Sequence, residues 1–174
     1  SQIAQKMGDV DTTINSLKKI LLIDKSNIEC ISKIYKLLLT KSLLDEALAN
    51  INLILRIDKD HYEAIRDKAY IYFLKNNFDK AKKYIDNISK LEETDFFAYN
   101  IKGLIYFKNS NFHEAKNYFE QAIKINSKYV DSYNNLGICL LELEKLDEAY
   151  TVFKDAHEIE SDNSKTIVNL GNVL

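Results

Sequence analysis

The side chains that could do chemistry in this sequence are few, and their spacing argues against a reaction centre. His61, His113 and His157 are the three histidines, and none sits in an HExxH or Cys/His spacing that would hold zinc. Cys30 and Cys139 are far apart and lack a CxxC partner, which reads as two small buried thiols in a reducing compartment. Serines and threonines are scattered without a GxSxG elbow. No glycine-rich phosphate loop is present. Carboxylates are abundant, but the pair Glu92–Glu93 falls where exposed surface is expected. No catalytic residue, metal or cofactor is therefore expected, and the segment does not read as an enzyme.

The elements around these residues come from composition first. The 174 residues include no proline and only four glycines, with 46% hydrophobic and 29% charged residues. So little turn punctuation predicts a nearly all-helical chain with short connections. A formal net charge of −2 with interspersed signs gives no footprint for nucleic acid or anionic lipid. No apolar run approaches the roughly 18 residues that cross a bilayer. The opening "SQIAQKMGDVD" lacks the basic-then-apolar layout of a signal peptide, so a cytoplasmic location is expected.

Laid on itself at an offset of 34, the chain aligns "FAYNIKGLIYF" with "DSYNNLGICLL", and "FHEAKNYFEQAIKIN" with "LDEAYTVFKDAHEIE". Tyr99 then falls on Tyr133, Gly103 on Gly137, Ala115 on Ala149, Phe119 on Phe153 and Ala122 on Ala156. Ala69, Ala81 and Ile85 continue the pattern one step back, then Ala47 and Ile51. The repeats run 28–61, 62–95, 96–129 and 130–163. The stretch 1–27 reads as a partial repeat, mainly a second helix, and 164–174 as the start of a further one. Together 1–174 is one repeat domain, expected to be cut from a longer repeat protein because stacked repeats need capped ends. Asp11, Asp45, Asp79 and Asp147 stand at the second helices as expected N-caps. The glycines are expected to face a small residue across each helix crossing: Gly137 against Ala149, Gly103 against Ala115, and Ala69 against Ala81 in the same places.

These residues resemble the tetratricopeptide repeat family: an aromatic, Leu-Gly and a large residue, then Ala, an aromatic and Ala. The last full repeat shows them as Tyr133, Leu136, Gly137, Leu140, Ala149, Phe153 and Ala156, and the final stretch begins again with Ile167, Leu170 and Gly171. The resemblance implies an all-α, right-handed α-solenoid of antiparallel helix pairs with 34-residue repeats. Some residues depart from the pattern. The family's proline is replaced by Lys59, Glu93, Ser127 and Ser161, so the second helices are free to run on. Lys68 and Lys102 stand where leucine is usual, and Tyr35 where a small residue is usual.

The family holds peptides along the concave face formed by first helices. Carried onto this chain, that face would use Arg66, Tyr70, Phe73, Phe97, Asn100, Leu104, Phe107, Asn134, Asn135, Ile138 and Asn169, with Ser32, Lys36, Ile101, Leu141, Val168 and Asn172 nearby. Its middle is apolar and aromatic, suited to an amphipathic helix or an extended segment with apolar anchors. Its far end carries amides that can pair with a peptide backbone without reading sequence. Of the family's carboxylate clamp only Arg66 and Asn100 resemble pieces. Phe97, Ile101, Asp131 and Asn135 fill places where cations would be wanted.

The expected function is a non-catalytic protein-interaction scaffold with a protein or peptide partner. The alternative is a targeting or regulatory region of a larger enzyme, such as a glycosyltransferase, kinase or phosphatase. RNA binding, as in related repeats of period 35, is disfavoured by net charge and by the 34-residue spacing. Self-association through groove or ends is a further expectation.

Overall fold

A computed structural model describes residues 2–88 and 95–173. Ten α-helices run through them: α1 Gln2–Ile23, α2 Ile28–Thr40, α3 Leu44–Ile57, α4 Tyr62–Leu74, α5 Phe78–Asp86, α6 Phe96–Lys108, α7 Phe112–Ile125, α8 Val130–Glu142, α9 Leu146–Ile159 and α10 Ser164–Val173. The all-α class is as expected, and α2, α4, α6 and α8 start 34 residues apart. The chain forms two compact units, Ser1–Asn77 and Phe78–Leu174.

Within the first unit, α1 to α4 close over Ile14, Ile31, Ile34, Tyr35, Leu38, Ala47, Ile51, Ile54, Ala64 and Ile71. Tyr35, in a place usually held by a small residue, is fully buried. Its hydroxyl donates to Asp67 Oδ2 at 2.9 Å, and Arg66 Nε donates to Asp67 Oδ1 at 2.7 Å, so the bulky ring brings its own polar partners. Lys68 is likewise accommodated, donating to Asn52 Oδ1 at 2.7 Å.

The second unit is centred on Ala115, Phe119, Leu136, Cys139, Leu140, Ala149 and Phe153. The rings of Phe119 and Phe153, 1% and 0% exposed, are its largest fully buried side chains. Each contributes roughly 2–3 kcal/mol by burial. Lys102, in the other departure, lies 5.0 Å from the centroid of the Tyr118 ring and 3.7 Å from Asp86 Oδ1. Lys82 pairs with the same carboxylate and lies 4.7 Å from the Tyr106 ring centroid. Cation–π and ionic contacts thus replace a leucine's packing there.

Two expectations change. Asp45 and Asp147 are not N-caps: the caps are Leu43 and Lys145, without side-chain bonds, and the aspartates lie in the first turn, where the helix dipole favours them. Asp79 also lies in a first turn, and Asp11 lies inside α1, which extends N-terminally of the expected second helix. The second helices do not run on without proline. They end at Asp58, Asn126 and Glu160, each with extended backbone, and the first two side chains accept from the N–H two residues on, at 3.1 Å. These side-chain turns stop the helix in place of a ring. α5 ends at Asp86, with Asn87 in a turn; residues 89–92 and the pair Glu92–Glu93 lie outside the described residues.

First helices end differently. Ser42, Asn76, Ser110 and Glu144 adopt φ of 57°, 56°, 59° and 59°. The N–H of Leu43 bonds to Leu38 O and that of Lys145 to Leu140 O, at 3.0 and 2.9 Å. This is the left-handed C-terminal motif usually closed by glycine.

Candidate peptide-binding groove

Burial divides the expected groove residues. In the second unit, α6, α8 and α10 are first helices, and their asparagines form a repeated bonding pattern. Asn100, 3% exposed, accepts from Ser132 Oγ at 3.1 Å and from Asn135 Nδ2 at 3.0 Å. One repeat later Asn134, also 3% exposed, accepts from Asn169 Nδ2 at 3.0 Å, while its own Nδ2 donates to Thr166 Oγ1 at 2.9 Å. A buried amide must be paired or cost about 1–3 kcal/mol. Asn100 and Asn134 are thus held between adjacent first helices. Asn135 and Asn169 each spend an N–H on that bond, and their Oδ1 atoms make no hydrogen bond among the described residues.

Two hollows adjoin this pattern. One, of about 370 Å³, is lined by Asp131, Asn134, Asn135, Ile138, Ser164, Lys165, Val168 and Asn169. The other, of about 210 Å³, is lined by Leu104, Phe107, Lys108, Phe119, Asn135 and Ile138. Asn135 and Ile138 line both, and Ile138 is 37% exposed. Lys165 Nζ lies 3.3 Å from Asp131 Oδ1, so the larger hollow carries a charge pair at its edge.

Residues 96–129 and 118–151 each match a family model described as tetratricopeptide repeat. Residues 96–151 carry tetratricopeptide repeats. Solved structures of like fold include MamA, 25% identical with a TM-score of 0.73 over 92% of this chain and 94% of that one. YrrB, described as a TPR protein with an unusual peptide-binding site, is 16% identical, with a TM-score of 0.71 over 96% of this chain and 86% of its own. The second TPR domain of human RPAP3, solved with an HSP70 peptide, is 19% identical, with a TM-score of 0.58 over 63% of this chain and 91% of its own. No curated relative matches the sequence.

The hollows bring together six of the expected residues: Leu104, Phe107, Asn134, Asn135, Ile138 and Asn169. Phe97 is half-buried at the start of α6, its neighbour Phe96 packing against Tyr129 in a tilted pair with centroids 4.9 Å apart. Arg66, Tyr70 and Phe73 lie on α4 in the other compact unit. There Arg66 is spent on Asp67, and Tyr70 stacks on Phe73 with centroids 6.5 Å apart.

Sequence reasoning missed Ser132 and Thr166, the hydroxyls that the buried asparagines bind. The signal was present: both stand 34 residues from each other where Ala64 and Ala98 occur in earlier repeats. It also missed Phe119 as the floor of the smaller hollow. The glycine expectation needs correcting too. A Cβ at Gly103 would meet Phe119 Cε1 at 2.5 Å, and one at Gly137 would meet the Phe153 ring. The closest neighbour across each crossing is the aromatic ring rather than Ala115 or Ala149. Gly171 has nothing within 4 Å of such an atom, so no packing partner there explains it.

Proposed function

We propose that this chain is a non-catalytic interaction module that holds a peptide segment of a partner protein in the groove across α6, α8 and α10. The observation carrying this reading is the pair of adjoining hollows joined at Asn135 and Ile138, one mainly apolar, the other rich in amides. Amides fixed on one side and open on the other suit a peptide backbone. The peptide complexes or sites named for YrrB and RPAP3 support the same use of a similar fold. A cytoplasmic setting is proposed with it, since Cys30 and Cys139 are both buried and free. Affinity capture of partner proteins tests the reading when repeated with Ile138→Asp and Leu104→Asp. Ile138 is 37% exposed and lines both hollows, so Ile138→Asp should lose bound proteins with melting unchanged, whereas Leu104 is partly buried against the core and Leu104→Asp should lower the melting point as well. Bound proteins retained by both variants would remove the groove.

A further inference from the structure

The smaller hollow has a shape and charge that narrow what can enter it. Its floor is the Phe119 ring, pinned over Gly103, and its walls are Leu104, Phe107 and Ile138. Phe107 is itself braced by Phe112, with ring centroids 5.3 Å apart. A dry apolar cavity of about 150 Å³ accepts a molecule the size of benzene. The 210 Å³ here therefore accommodates one leucine- or phenylalanine-sized side chain, with little room for a second.

Two polar groups sit on its rim. Asn135, its N–H held by Asn100, presents Oδ1 as an acceptor. Lys108 is the one charged residue lining this hollow and makes no ion pair among the described residues. The lysine of the neighbouring hollow, Lys165, is by contrast already paired with Asp131. A partner helix would satisfy its own backbone N–H groups and leave Asn135 Oδ1 unused. An extended segment has an N–H to give it.

We propose that this hollow selects an extended partner segment carrying one large apolar anchor, seated on Phe119, with a carboxylate residue beside it on Lys108. The inference rests on the groove reading and adds the chemistry of its occupant. The carboxylate belongs to an Asp or Glu side chain within a residue or two of the anchor.

The test is selection of a displayed random heptapeptide library on the 174-residue chain, on Lys108→Glu and on Ile138→Asp. Wild type should enrich peptides with one Leu, Phe, Ile or Met next to Asp or Glu. Lys108→Glu, a change at an exposed position, should keep the apolar residue and exchange the acidic neighbour for Lys or Arg. Replacing the anchor by serine in a selected, labelled peptide should weaken binding about 10- to 100-fold by fluorescence anisotropy. Peptides that need Ile138 but show no apolar anchor, or an acidic preference unmoved by Lys108→Glu, would overturn this inference and leave the groove standing. Enrichment of no peptide would overturn both.

Discussion

Gly137 lies beneath the ring of Phe153, so close that a methyl group on its Cα would overlap the ring edge. Gly103 and Phe119 repeat the relation one repeat earlier, with the added carbon 2.5 Å from Cε1 and 2.7 Å from Cδ1. Both rings are buried and wedged among core residues, so they cannot swing clear cheaply.

Opposite effects of one substitution follow. Gly137→Ala and Gly103→Ala should each lower stability by about 1–3 kcal/mol through overpacking, outweighing alanine's better helix propensity. Gly171→Ala meets nothing and should be neutral or stabilising by up to about 1 kcal/mol. Urea denaturation of the three variants decides it. Equal effects at all three positions would show that the rings do not fix the glycines.

The asparagine pattern predicts a second contrast. Asn134→Ala removes the partner of both Thr166 and Asn169 inside a buried site, and should cost about 1–3 kcal/mol. Asn169→Ala, at a half-buried residue whose Oδ1 is open, should cost less than about 1 kcal/mol. In peptide binding the order should reverse if Oδ1 of Asn169 meets the ligand backbone. Denaturation midpoints and peptide affinities measured on both variants separate structural from binding roles.

Left-handed residues at the ends of first helices give a third. Ser110 and Glu144 carry a Cβ at φ of 59°, a conformation that costs a non-glycine residue about 1 kcal/mol. Ser110→Gly and Glu144→Gly should raise stability by about 0.5–1 kcal/mol, the gain being reduced by glycine's freedom in the unfolded chain. A lower denaturation midpoint in both variants would contradict this reading of the turns.

Much of this architecture was legible because the repeat writes it several times. Ala115 and Ala149, Phe119 and Phe153, or Gly103 and Gly137 identify one another by spacing, so helix class and core follow from periodicity. What spacing could not show was which side chain meets which across a crossing. Helical side chains lean toward the N-terminus, and the ring of Phe153 reaches Gly137 although Ala149 is the small residue that suggests a close approach. The site was legible in the same partial way. The amides of Asn134 and Asn135 look alike in sequence, yet one is buried against Thr166 and the other opens onto two hollows. That difference depends on which flank of α8 faces α10, a packing fact with no local signature. Tyr35 was an apparent misfit for the same reason, since its partner Asp67 lies in the next repeat, 32 residues on.

Alkaline pH offers the last test. Burial pushes the Cys139 thiol up from its ordinary value near 9 to about 11, a rise only partly offset by the backbone and charge of Lys116. Burial, and then the carboxylate of Asp67, raise the Tyr35 phenol above its ordinary value near 10. Both groups prefer to stay neutral in the folded state, whereas in the unfolded chain they ionise at their ordinary values. The unfolded state therefore releases protons first as pH rises, and folding loses free energy over that range. For Cys139 the stabilisation is complete below about pH 9 and is lost toward about 11; for Tyr35 the loss begins near 10. Urea midpoints should accordingly hold level from pH 7 to about 9 and then fall. In Cys139→Ala and Tyr35→Phe, compared each with its own midpoint at pH 8, the fall should be shallower than in wild type. If both variants track the wild-type slope up to pH 10.5, ionisation of these two side chains is not what weakens the fold.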